Sequence, residues 1–182
     1  NNLGNLLSRS VTLLRKYCNE TLPCSSAEIS TEVEDLVRVV EASTHEAYLS
    51  YIALDFMRAT GELIKITTAA NVFFDRQAPW RAFKGDKDEV RSAEVCLVAM
   101  LECVRIVGLG LSPVIPGVAR KVYDALGLVW KTRDCWKSEM KWGLLQKGLR
   151  IVKGPPVFMR MEMDESDNGA RRDARGTGLQ SP

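Results

Sequence analysis

The longest amphipathic pattern in the sequence stops at a proline, and it constrains the fold more than any other feature. Apolar side chains recur at steps of four and three, which is the period of a helix packed against other helices. Pro79 restricts Ala78 and lacks a backbone N–H, so this helix is predicted to end within a residue of it. Trp80 then lies just beyond the helix, where its ring can face the core or a ligand. The apolar positions are Ile52, Phe56, Ala59, Leu63, Ile66, Ala70 and Phe73.

Similar patterns elsewhere predict an all-α bundle of about five helices. Thr31 with Glu34, and Asp86 with Glu89, have the spacing of capping boxes and predict two helix starts. The apolar pattern loses its phase over residues 43–49, which predicts a turn there. The predicted helices cover residues 1–17, a segment from about 30 to that turn, 50–77, 87–111 and 116–127.

The C-terminal part differs from the rest of the chain. Residues 128–162 are predicted to form an irregular return that packs against the bundle. From Asp164 onward only Leu179 is a sizeable aliphatic residue, too little to order the segment by burial. We therefore predict one helical-bundle domain over residues 1–162 and a disordered tail over residues 163–182.

Composition excludes several classes of function. The formal net charge of +2 provides no global positive field, so any contact with nucleic acid must be local. The most apolar stretch, residues 95–114, is interrupted by Glu102 and Arg105, which argues against a membrane span. The five cysteines and one histidine have no paired metal-ligand spacing and predict reduced thiols in a reducing compartment. The absence of a signal peptide and of an initiator Met predicts a segment of a longer protein.

No catalytic motif is present, but one set of residues could bind an unpaired base. Asn5 and Arg9 lie four residues apart and so share a helix face. Arginine donates to ring acceptors, asparagine both donates and accepts, and a tryptophan such as Trp80 adds a stacking plane. Structural alternatives remain: Trp80 can be a core residue, Arg9 can pair with a surface carboxylate, and Asn71 can brace a neighbouring backbone. The carboxylates considered for Arg9 are Glu46 and Asp75.

Five separated motifs, in the same order, resemble the anticodon-binding domain of methionyl-tRNA synthetases. Residues 3–9 (LGNLLSR) are similar to its opening helix, and residues 70–80, from Ala-Asn to Ala-Pro-Trp, to the end of its third helix. Residues 111–116 (LSPVIP) are similar to the proline-bounded turn after the fourth. The segment of the family's domain that returns towards the catalytic body is similar to residues 141–144 (KWGL) and 156–162 (PVFMRME).

The resemblance implies a site and a parent enzyme. Asn5, Arg9, Pro79 and Trp80 would form the anticodon pocket for methionine tRNA, with the tryptophan stacked on the cytosine and Asn71 in the same site. The family commonly has Asn-Arg/x-Tyr where this chain has Asn-Val-Phe at residues 71–73, which removes a basic residue and a hydroxyl nearby.

The implied parent is a methionine–tRNA ligase that uses ATP and Mg²⁺. Its nucleotide motifs are absent here, so the segment itself is expected to hold no catalytic residue, cofactor or metal. The expected partners are methionine tRNA, through its anticodon loop, and an N-terminal catalytic domain of the same chain, with no membrane. The C-terminal motifs look most like organellar and plastid-type members. The expected compartment is a reducing one, either the cytoplasm or an organellar stroma or matrix.

Two alternatives keep a helical bundle. Leucyl-, isoleucyl-, valyl- and cysteinyl-type synthetases carry related bundles, although the combination of Asn5, Arg9 and Trp80 argues against them. A non-catalytic protein-interaction scaffold would instead expose a large apolar patch on the first or fourth predicted helix.

Overall fold

The computed structural model describes residues 2–130 and 136–151, which form an all-helical bundle. Seven helical elements lie within these ranges, and five of them are ten residues or longer, which confirms the predicted fold class. Their bounds are α1 Asn2–Tyr17, α2 Glu34–Ile52, α3 Phe56–Gln77, α4 Pro79–Ala82, α5 Lys87–Gly110, α6 Pro116–Ala125 and α7 Trp136–Glu139. The predicted domain end at residue 162, the tail over residues 163–182, and Cys135 lie outside the described residues, so those statements stay predictions.

Helix α5 is the centre of the bundle. Every residue from 95 to 111 is buried, and α1, α3, α4 and α6 all pack against this helix. Two glycines allow the closest approaches, because a Cβ added at Gly108 would lie 2.6 Å from Val122 of α6, and one at Gly110 would lie 2.5 Å from Leu63 of α3. The apolar run that begins at residue 95 therefore belongs to a bundle helix enclosed by its neighbours.

The predicted start of α5 is confirmed. The Asp86 carboxylate accepts hydrogen bonds from the backbone N–H groups of Asp88 and Glu89, at 3.0 and 2.9 Å. The Glu89 carboxylate in turn accepts from the Asp86 N–H at 3.0 Å. These reciprocal contacts satisfy N–H groups that have no partner within the helix.

Replacing Asp86 by alanine is expected to lower the free energy of unfolding by about 1 kcal/mol, because the cap of the central helix is removed. Urea unfolding followed by circular dichroism measures this change. Thr31→Ala is the matched control, because Thr31 belongs to a capping motif of similar sequence but is exposed and caps no helix. An equal loss of stability in the two variants would contradict the assignment of the cap.

The predicted start of α2 at residue 30 or 31 is wrong. The helix begins at Glu34, and its N-cap residue Val33 makes no side-chain cap hydrogen bond. The reciprocal Ser-x-x-Glu contacts occur earlier, where Ser25 Oγ accepts from the Glu28 N–H at 3.3 Å and Glu28 accepts from the Ser25 N–H at 3.1 Å. A series of turns follows and buries Ile29 completely, so tertiary packing outweighs the local Thr-x-x-Glu signal.

The turn predicted over residues 43–49 is also wrong, because α2 continues through it to Ile52. The core positions of this stretch are occupied by the small residues Ser43, Thr44, Ala47 and Ser50, all of them buried. Thr44 and Ser50 donate to carbonyl oxygens of their own helix, at Glu41 and Glu46, so their hydroxyls need no partner elsewhere. A pattern of hydrophobic residues therefore does not identify these small residues as the buried face of α2.

Helix α3 begins at Phe56 rather than at residue 50, capped by Asp55, which accepts from the Arg58 N–H at 2.9 Å. Ile52 and Phe56, both assigned to the apolar face of this helix from the sequence, are 63% and 46% exposed. At the other end the predicted stop is confirmed, because Ala78 adopts a left-handed conformation (φ 42°) directly before Pro79.

The C-terminal return is held by a buried ion pair whose two residues look, in the sequence, only like interruptions of an apolar run. Arg105 donates to the Glu102 carboxylate from Nε at 3.1 Å and from Nη2 at 2.8 Å, and both side chains are buried. Arg105 also donates to the carbonyl oxygens of Glu139 and Lys141, while Glu102 accepts from three N–H groups of the return. Those N–H groups belong to Gly143, Leu144 and Leu145. Burial opposes the charge on Arg105, but the Glu102 carboxylate keeps the pKa of the guanidinium above its ordinary value.

The described cysteines Cys18, Cys24, Cys96 and Cys103 are free thiols. Burial raises the pKa of the Cys18 thiol to about 11 and that of Cys96 to about 12, so both are neutral near pH 7. Within residues 2–130 and 136–151, no helix combines the length and the apolar character that crossing a bilayer requires.

Candidate nucleic-acid interface

A groove of about 350 Å³ lies between α1 and the junction of α3 with α4. Helix α1 contributes one wall, and the last turn of α3 and the start of α4 contribute the other. Its lining residues are Ser8, Arg9, Thr12, Leu13, Phe74 and Trp80. The groove thus combines an apolar floor, two aromatic rings, two hydroxyls and one guanidinium, a composition that suits a flat ligand with polar edges.

The turn at residue 78 positions Trp80. Because Ala78 is left-handed and Pro79 begins a new helical turn, the chain changes direction sharply at the end of α3. Pro79 is buried and Trp80 is half-buried. The Trp80 ring lies 5.8 Å from the Phe74 ring at an interplanar angle of 53°. The tryptophan is therefore anchored on one side, and part of the indole is open to the groove.

Arg9 lies beside both rings. The guanidinium carbon is 5.4 Å from the centre of the Trp80 ring and 4.5 Å from that of Phe74, within the range of cation–π contacts. Arg9 Nη2 also donates to Asp75 Oδ1 at 2.8 Å, and its side chain is one-third exposed. The alternative pairing of Arg9 with Asp75 is thus realised, but the pairing holds the guanidinium at the groove rather than away from it. This contact uses one of the five N–H donors of the arginine.

The other predicted site residues do not line the groove. Asn5 is exposed and lies one turn before Arg9 on α1. Asn71 donates from Nδ2 to the carbonyl oxygen of Thr67 at 2.8 Å, which braces α3 one turn before Phe74. The structure therefore brings Arg9 and Trp80 together and buries Pro79 directly before Trp80. It places Asn5 at the edge of the same helix face as Arg9 and gives Asn71 a contact within its own helix.

Phe74, the aromatic floor of the groove, is a site residue that the sequence did not reveal. The apolar periodicity predicts Phe73 on the buried face of α3, whereas Phe74 is fully buried and Phe73 is half-buried, with the Arg76 guanidinium 5.5 Å from its ring. A step of four from Ala70 instead of three would have identified Phe74. Ser8, Thr12 and Leu13 were not predicted either, although they lie on the same helix face as Arg9 or beside it.

The exposed apolar residues do not match the scaffold alternative. Among the described residues, α1 and α5 expose no large apolar side chain. The exposed apolar residues instead concentrate at the turn between α2 and α3: Leu49, Ile52, Leu54, Phe56 and Met57.

Comparison with known proteins identifies the family. A family model described as the anticodon binding domain of methionyl tRNA ligase matches residues 23–177. The chain therefore belongs to the family of anticodon-binding domains of methionyl-tRNA ligases. The matched stretch contains Phe74 and Trp80 and begins after α1, which carries Asn5 and Arg9.

Individual relatives extend the match to almost the whole chain. The chloroplastic/mitochondrial methionine–tRNA ligase of Arabidopsis thaliana is 33% identical over 185 residues, covering 98% of this chain and 29% of that protein. The methionine–tRNA ligase of Caldanaerobacter subterraneus subsp. tengcongensis is 32% identical over 165 residues, covering 91% and 25%. The chain thus spans about a quarter to a third of the length of these relatives.

A solved structure supports the fold independently. The apo form of Mycobacterium tuberculosis methionyl-tRNA synthetase superposes with a TM-score of 0.80 at 24% identity, over 90% of this chain and 32% of that one. The bundle that holds α1, α3 and α4 around the groove therefore has an architecture that also occurs in that longer synthetase chain.

Proposed function

We propose that the groove binds the anticodon of methionine tRNA, with the cytosine stacked on Trp80. The observation that carries the proposal is the half-buried indole with the Arg9 guanidinium 5.4 Å from its centre. Single-stranded RNA is recognised by this combination, since an extruded base stacks on an aromatic ring while its Watson–Crick edge accepts and donates hydrogen bonds. The match of the chain to anticodon-binding domains agrees with it.

The five candidate residues have different roles in this proposal. Trp80 supplies the stacking plane and Arg9 donates to the ring acceptors of the base. Asn5, exposed one turn away, is free to supply an accepting and a donating group. Pro79 fixes the turn that orients Trp80, and Asn71 acts indirectly by bracing the last turns of α3.

We propose further that the full-length protein is a methionine–tRNA ligase that attaches methionine to its tRNA with ATP and Mg²⁺. A catalytic domain outside this chain would bind both, and among the described residues no cluster of three metal-ligating side chains occurs. The free thiols fit a reducing compartment, either the cytoplasm or an organellar stroma or matrix.

Titration of the protein with tRNAs that differ only in the anticodon tests this function. Changing the cytosine is expected to weaken binding by about 1–3 kcal/mol, the discrimination of a good arginine contact to a base edge, or roughly 5- to 150-fold. Equal affinities for methionine tRNA and for every altered anticodon would refute anticodon recognition.

A further inference from the structure

Two cations without carboxylate partners lie beside the groove. Most basic side chains of α1 to α5 pair with acidic neighbours, as in Arg9 with Asp75, Arg15 with Glu20 and Arg58 with Glu46. Lys16 and Arg81 are exposed, and neither has an ion pair within the part of the chain that the structure describes. Arg76 and Lys84 are exposed and unpaired there too, but Arg76 lies over the Phe73 ring, 5.5 Å from its centre, and Lys84 follows the end of α4. In a chain with a net charge of only +2, such unneutralised charge marks a place where an anionic ligand would be attracted.

Lys16 lies on the continuation of the groove along α1. Positions 9, 13 and 16 share one helix face, so Lys16 is about 10 Å from Arg9 along the helix axis. Its Nζ is 5.1 Å from the centre of the Tyr17 ring, and Tyr17 stacks on Phe83 with ring centres 4.5 Å apart and planes within 5°. This stack ties the end of α1 to the end of α4 and so fixes where Lys16 lies relative to Trp80.

Arg81 lies on the opposite flank of Trp80. Successive residues of a helix are rotated by about 100°, so Arg81 and Phe83 project to either side of the indole. Phe83 packs on Tyr17, whereas Arg81 is exposed. A base stacked on Trp80 would therefore have one cation on each side, at Lys16 and at Arg81.

The nearby carboxylates are already engaged. Asp75 pairs with Arg9, while Asp86 and Glu89 form the capping box of α5. Asp88 stands in the first turn of the same helix, where its charge complements the positive end of the helix dipole. Each of these acidic groups thus has a partner or a helix-end position of its own, and none of them forms an ion pair with Lys16 or Arg81.

We propose that Lys16 and Arg81 bind the two phosphates that flank the base in the groove. The ligand class is single-stranded RNA, and the contacts are ionic and independent of base identity. This inference rests on the proposed function. It adds contacts to the phosphate backbone of the RNA, which would orient the anticodon loop over Trp80.

The test compares salt dependence for the double variant Lys16→Ala/Arg81→Ala and the unmodified protein. Binding of methionine tRNA, and of a tRNA with the cytosine changed, is measured by anisotropy over a series of salt concentrations. The slope of log affinity against log salt is expected to become shallower by about 0.7 for each phosphate that the variant no longer neutralises. Affinity for the two tRNAs falls by the same factor, so their ratio is unchanged. Lys16→Arg/Arg81→Lys is expected to restore the slope.

The matched control is Arg120→Ala/Lys121→Ala, which removes two exposed cations of α6 away from the groove. An unchanged slope in the Lys16/Arg81 variant, or an equal change in the α6 variant, overturns the inference. If the unmodified protein binds both tRNAs equally while the slope still falls, the phosphate contacts stand and anticodon recognition is refuted. If the unmodified protein binds no RNA, both proposals fail.

Discussion

Replacing Glu102 by glutamine is expected to lower the free energy of unfolding by about 3–5 kcal/mol, because the substitution leaves the charge of Arg105 buried without a counterion. Total stabilities of domains are about 5–15 kcal/mol, so this single change would remove a large part of the margin. The variant is expected to remain folded at room temperature unless the stability of the unmodified protein lies near the lower end of that range.

The geometry explains the size of the effect. The two carboxylate oxygens of Glu102 accept from Arg105 and from N–H groups of residues 143–145. Glutamine would place an NH₂ donor against those donors, so hydrogen bonds are lost together with the charge. Arg105 and Glu102 form hydrogen bonds to backbone groups of the C-terminal return, which includes α7. These contacts help to pack α7 against α5.

Denaturant unfolding at neutral pH measures this loss, with the slope of free energy against denaturant checked for constancy. Glu34→Gln is the matched control, since Glu34 pairs with Arg38 at 2.6 Å on the exposed face of α2. An exposed pair of this kind contributes at most about 1 kcal/mol. Similar losses of stability in the two variants would show that Glu102 and Arg105 do not act as a buried ion pair that stabilises the C-terminal return.

Replacing Trp80 by alanine is expected to weaken binding of methionine tRNA by about 1–3 kcal/mol, or roughly 5- to 150-fold, because the stacking plane for one base is removed. Discrimination between anticodons is expected to collapse as well, since the base is no longer held against Arg9. The measurement is titration of methionine tRNA and of a tRNA with the cytosine changed.

Two further variants separate stacking from folding. Trp80→Phe keeps an aromatic plane beside Phe74 and is expected to retain most of the affinity and the discrimination. Trp130→Ala removes a half-buried indole that packs on Tyr123, 5.1 Å away, and is expected to leave both unchanged. A fall in affinity in Trp130→Ala equal to that in Trp80→Ala would indicate general damage to the bundle rather than removal of a stacking surface.

The parts of the fold that could be predicted from the sequence are those governed by local chemistry. Asp86 and Glu89 form their capping box because both partners lie within four residues of each other. Pro79 ends α3 because its ring is incompatible with a continuing helix. Trp80 and Arg9 could be singled out for the groove because each combines a characteristic residue type with a helix-end or helix-face position.

Other parts depend on packing that spacing does not reveal. Small hydroxyl residues such as Ser43 and Ser50 look like a break in α2, yet they are buried against neighbouring helices, and Ser50 bonds to its own helix backbone. Glu102 and Arg105 look like interruptions of an apolar run, yet they hold a segment almost forty residues further along the chain. The apolar period cannot distinguish Phe74 from Phe73. The two residues are adjacent, and steps of three and of four from Ala70 both fit the period of a helix.

Direct stacking of Trp80 on one anticodon base can be isolated by a thermodynamic cycle. The affinities of the unmodified protein and of Trp80→Ala are measured for an RNA hairpin carrying the methionine anticodon and for the same hairpin without the base at the cytosine position. If the indole stacks on that base, Trp80→Ala costs about 1–3 kcal/mol on the intact hairpin and almost nothing on the abasic one. An equal loss of affinity on both hairpins would show that Trp80 does not stack on the cytosine.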